Sequence, residues 1–202
     1  MLFRCAIIFT VFQAGYSMAN EEPKYTVQSK GERYEIRQYP KILVAETLVD
    51  AEFDKAGSKA FRILADFIFG NNQQKQKIAM TAPVSQTPSS EKIAMTAPVS
   101  QTKGQGGFRI QFTMPSSYTL ENLPSPNDNR VQIREIPART LAAYEYSGSW
   151  SQSRYQEKLA EFRGELEKAE VKVVGEPAFA RYNSPFTLWF LRRNEIWLEV
   201  VK

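Results

Sequence analysis

The sequence contains no histidine among its 202 residues. That absence removes Ser-His-Asp and Cys-His catalysis and every metal site that needs an imidazole. Cysteine is almost as scarce. The single one, Cys5, falls in an amino-terminal stretch with a short basic start ending at Arg4, an apolar run over residues 5–12, and small residues at Ser17 and Ala19. This is the pattern of a secretory signal cleaved after Ala19. The run is too short to span a membrane, which takes about 20 apolar residues, and Cys5 precedes it, whereas a lipoprotein signal would carry its cysteine after it. The expectation is an exported chain, periplasmic or secreted, with no stable membrane span after cleavage. From residue 20 onward it has neither disulfide nor thiolate. A surplus of one charge is also missing: 26 basic and 22 acidic side chains are interspersed, leaving +4 and no patch for nucleic acid.

What is present begins with a repetition. KIAMTAPVSQT occupies residues 77–87 and again 92–102, a period too short and a copy number too low for a solenoid. A weaker similarity spans the whole chain: Ile36, Arg37, Pro40 and Ala45 recur in register as Ile133, Arg134, Pro137 and Ala142. In each half two short β-prone runs meet at the proline (residues 34–40 and 41–47, then 132–137 and 138–143). A helix-spaced stripe follows in each: Phe53, Ala56, Ala60, Phe61, Leu64, Phe67 and Ile68 within residues 51–69, stopped at Gly70, and Tyr155, Leu159, Phe162, Leu166 and Ala169. Ser153 to Gln156 reads as a capping box for the second helix. Strand patterns return at 108–114, 171–174 and 187–200, with 118–129 as connector. The predicted fold is α+β. One domain over residues 20–202 would hold two β-β-α-β-β units, about 25–115 and 130–201, forming a distorted antiparallel β-barrel flanked by two helices.

Residues 34–40, both Ile-Ala-Met-Thr-Ala-Pro-Val strings, residues 108–115 ending in Met-Pro, residues 131–137 and Arg-Arg-Asn-Glu-Ile-Trp at 192–197 together resemble the SOUL heme-binding protein family, in order and from about Tyr25 to the end. The resemblance implies a duplicated α+β fold shared with bacterial small-molecule effector-binding domains, and non-covalent binding of heme or another porphyrin in an apolar cleft. Some relatives are proposed to ligate heme iron through histidine. This chain has none, so only the mode without a protein imidazole transfers, and that mode would tolerate iron-free porphyrins.

Several residues are candidates on this reading. Lys55, Lys59 and Arg62 would pair with propionates while Phe61 and Leu64 cover the macrocycle; a solvated helix face above a core is the plainer alternative. Tyr182 and Phe186, before the last strand, would border the cleft and stack on a flat ligand. Met80 and Met95 sit at strand positions where a thioether touches a ligand or simply packs. The first copy of the repeat is expected to fill the strand after helix one, with the second extending a hairpin. Two further functions compete: a binder of cationic apolar molecules at a cavity-facing Glu195, and a hydrolase-type enzyme pairing Glu195 with Tyr34 or Tyr144.

Overall fold

The structure, a computed structural model, describes residues 20–74 and 90–201. The signal-like segment, Met80 and the first copy of the repeat lie outside the described residues. Strands β1 (Thr26–Lys30), β2 (Tyr34–Tyr39) and β3 (Ile42–Val49) lead into helix α1 (Phe53–Ile68), followed by β4 (Asn72–Gln73), β5 (Val99–Gly104) and β6 (Gly107–Thr113). The second half runs β7 (Ser125–Pro126), β8 (Gln132–Ile136), β9 (Arg139–Tyr146), α2 (Gln152–Lys168), β10 (Val173–Arg181) and β11 (Asn194–Val200). The two short strands β4 and β7 pair with each other. The other nine form one antiparallel sheet in the order β1-β2-β9-β11-β10-β5-β6-β3-β8.

The duplication is written into that order. Exchanging each strand with its counterpart in the other half (β2 with β8, β3 with β9, β5 with β10, β6 with β11) makes the eight read the same from the opposite end. The predicted duplicated α+β fold is present, with one difference: β1 and β8 do not pair, so the sheet is open rather than a closed barrel.

Alternation along the strands sorts side chains onto two faces. One face carries the helices. Leu64, Phe67 and Ile68 of α1 pack on Ala45, Ile110 and Phe112, and Phe162 and Leu166 of α2 pack on Tyr144, Ile196 and Leu198. Phe53 joins the two regions, stacked 4.9 Å from Tyr155 and 5.7 Å from Phe179. The other face is the inside of the curl. Seven strands contribute to the wall of one small cavity there, and its lining includes Leu141 and Trp197 of an apolar cluster completed by Tyr39, Ala143 and Ala180.

Local details depart from the sequence reading at three places. The cap of α2 is Ser151, whose hydroxyl accepts from the Arg154 N–H, so the supposed box lies inside the helix. Gly70 does follow α1, with φ of 121°, where a side chain would be strained. Residues 187–193 are not strand: Pro185 interrupts the ladder and a 3-10 turn at Trp189–Leu191 follows, while β10 runs on to Arg181 by bulging between Val174 and Ala178.

The second copy of the repeat occupies the sheet. Ile93 is buried beneath α1, its N–H donating to the Ile68 carbonyl, and Val99 to Thr102 pair with β6 and β10. As expected, this copy makes a hairpin with β6 through the glycine-rich turn at residues 103–107, and its strand also pairs with β10, inside the sheet; the first copy, expected in the strand after helix one, lies outside the described residues. Asn72 explains the geometry. Its side chain accepts from the Glu91 N–H (3.0 Å) and donates to the Glu91 carbonyl (2.8 Å), so the chain between them leaves and returns at one point.

Candidate functional site

Inside the curl, the alternation of β11 places Glu195 and Trp197 on the inner face, and β2 supplies Arg37 from two strands away in the order. Glu195 is fully buried. One of its oxygens accepts from Arg37 (2.9 Å), the Tyr182 hydroxyl (2.8 Å) and the Trp197 indole (2.6 Å); the other accepts from Arg193 at 2.8 Å. Burial alone would push the Glu195 carboxyl up, but the Arg37 charge and the hydrogen bonds from Arg193 and Trp197 outweigh it and hold the carboxyl below its ordinary range. Burial and the adjacent Glu195 charge push the Tyr182 phenol well above its usual value. The cluster is a satisfied structural network.

That geometry bears on both competing functions. Two guanidiniums already neutralise Glu195, so the lone negative charge a cationic ligand would seek is absent. Tyr34 and Tyr144 pack with α2 on the opposite face of the sheet, and the Tyr144 hydroxyl donates to Glu161 (3.0 Å). The Glu195–Tyr34 and Glu195–Tyr144 pairs are thus corrected: the sheet separates them.

The residues expected at a ligand cleft are distributed differently. Lys55, Lys59 and Arg62 share the outer, solvent face of α1, along a groove of about 760 Å³ that also holds Asp66, Asp128 and Arg130. Lys55 pairs with Glu52 at 2.9 Å and Lys59 donates to the Asp50 carbonyl at 2.8 Å. Leu64 is fully buried beneath the helix and cannot cover a ligand in that groove. Phe61 is half-buried, 5.6 Å from Phe112. Tyr182 belongs to the inner network, so only Phe186 remains on the outside, and it is 96% exposed.

Phe186 is not alone. Leu188, Trp189, Phe190 and Leu191 are each more than half exposed, forming an apolar loop that the sequence reading mistook for strand. The signal was available: Pro185 followed by five large apolar residues among six, with no alternation. The loop is braced rather than loose. Arg192 donates to the carbonyls of Thr187 and Pro185, both at 2.8 Å, and lies 4.2 Å over the Trp150 ring. Before the loop, at the end of β10, the Arg181 guanidinium fills the space a side chain on Gly57 of α1 would need. Burial pushes the Arg181 guanidinium down to about 10, and Arg181 also lies over Trp150 and Phe179.

The class this fold defines is seen in solved structures. The EcmrR C-terminal domain is similar with a TM-score of 0.57 at 12% identity, covering 88% of this chain and 98% of that one. A hydrolase from Listeria innocua has a TM-score of 0.55 at 12% identity, covering 86% and 94%. At that identity the likeness concerns the fold alone. The sequence goes further: the profile of the SOUL heme-binding protein family matches residues 20–199, and the chain belongs to that family. Heme-binding protein 2 of Mus musculus is 31% identical over 170 residues, covering 82% of this chain and 77% of that protein. Heme-binding protein 1 of Xenopus laevis is 25% identical over 176 residues, covering 84% and 86%.

Proposed function

We propose that this chain is an exported carrier or sequestering protein that binds heme or an iron-free porphyrin non-covalently, without a histidine ligand. The observation that carries the reading is the braced, exposed apolar loop at residues 186–191 in a member of a heme-binding family. A tetrapyrrole presents a broad apolar face and an edge of two carboxylates. Phe186, Trp189 and Phe190 offer aromatic surface for the face, and Lys55, Lys59 and Arg62 offer cations for the edge. The groove beside α1 is of the size ordinary for small-molecule sites, about 300–1,000 Å³.

Iron contributes little on this reading, because the chain has no imidazole to give it. The test is to titrate residues 20–202 separately with hemin and protoporphyrin IX, following absorbance and tryptophan quenching. Saturable binding of both, with affinities within about tenfold, is the expected result. Saturation by hemin alone would mean that a tyrosine, methionine or lysine ligates iron, and saturation by neither would overturn the reading.

A further inference from the structure

The inner face of the sheet holds a second feature that the tetrapyrrole reading does not use. Its cavity is about 190 Å³, below the usual range for drug-sized ligands, and it is walled by strands of both halves. Leu141, Ala178 and the Trp197 ring give it an apolar side. The charged side is unequal. Glu46 is buried and already engaged, accepting from Gln111 at 2.8 Å and pairing with Arg134 at 3.1 Å. Glu176 and Glu199 are exposed at the rim, where water screens them.

Arg139 is the exception. Its half-buried guanidinium lines the cavity and makes no hydrogen bond or ion pair among the described residues. Burial depresses its pKa, while Glu199 and Tyr39 act on it only from a distance. An arginine fork in such a place carries a desolvation cost that the rim carboxylate of Glu199 offsets only in part. It also has the donor geometry that a carboxylate accepts in pairs.

We propose that the interior cavity is a second binding site, for a small apolar carboxylate whose anion meets Arg139 and whose body rests against Trp197 and Leu141. Aromatic and short branched aliphatic acids fit this chemistry; a porphyrin is far too large for the volume. The site is separate from the α1 groove, because the sheet lies between them.

The probe is benzoate, with the uncharged isostere benzamide as control, added to residues 20–202 and followed by calorimetric titration and thermal melting. Benzoate should bind saturably and raise Tm, while benzamide should bind at least tenfold more weakly. Arg139→Gln should lose benzoate binding at least tenfold, yet melt at or above the wild-type temperature without ligand, because the side chain it removes has no partner. Arg139→Lys keeps the charge and should retain weakened binding, which covers the case in which the glutamine variant misfolds. Protoporphyrin IX should bind with the same affinity whether or not benzoate is present. The proposal is overturned if benzoate and benzamide bind equally, if neither saturates at millimolar concentration, or if Arg139→Gln binds benzoate as the parent does. Benzoate that competes with protoporphyrin would place it in the groove and overturn the interior assignment.

Discussion

Glu195 takes a full charge into the inside of the sheet, and the network that receives it sets its cost. Replacing it by glutamine removes the fully buried counter-charge that Arg37 and Arg193 share and leaves Arg37 only the partly exposed Glu35, so Glu195→Gln should destabilise the fold by roughly 3–5 kcal/mol in denaturant melts. The pH dependence has a definite direction. The folded carboxyl titrates below its ordinary value, so its contribution to stability is complete above the carboxylate range and is lost as pH falls through the depressed folded pKa. Wild-type stability should therefore drop on acidification below about pH 4, where unfolded carboxylates begin to take up protons, and the Glu195→Gln variant should drop less steeply. An equal slope in both would show that other carboxylates govern acid unfolding. At this scale the sequence was half legible. Alternation along β11 puts Glu195 and Trp197 on one face, but pairing Glu195 with Tyr34 or Tyr144 required the relation between faces of different strands, and strand order alone supplies that.

Elements behaved according to how much of their identity is local. The stripe of α1 was readable because its core-facing residues repeat every three to four positions, and Gly70 marks its end. The loop at 186–191 was misread because an unbroken apolar run passes for a buried strand, and Pro185 with the lack of alternation was the only sign against one. Replacing Phe186, Trp189 and Phe190 together by serine should abolish porphyrin binding while changing Tm by only a degree or two, since these side chains are already more than half exposed. The repeated segment gives a second prediction at this scale. Deleting residues 88–102 joins Thr87 to Lys103, so the identical first copy precedes the same glycine-rich turn. Ile78 then stands where Ile93 stood, and the fold should survive with a circular dichroism spectrum and Tm close to the parent. The reason is that Gln76 then takes the place of Glu91, and it is only the backbone N–H and carbonyl at that position that Asn72 engages. Loss of folding in that deletion would mean that the intervening residues do more than connect.

Across the whole molecule the internal similarity of residues 36–45 and 133–142 proved the most informative part of the sequence, since it required two like units sharing one sheet. It could not reveal how they share it. The first strand of each unit pairs within the other unit: β2 with β9 and β8 with β3, and the sheet crosses between units again at β5 and β10. Neither unit therefore owns a complete set of neighbours, and Leu123 of the connector and Val131 just past it complete the core under α1. A chain cut between residues 116 and 117 should yield two pieces that are insoluble when made separately, through unpaired strand edges, and that co-purify in equal amounts when made together. A half that folds alone as a monomer would contradict this. In effect the molecule is a strand-swapped dimer made permanent: residues 117–130 hold two mutually dependent partners at a fixed effective concentration, so assembly needs no encounter and cannot be diluted away.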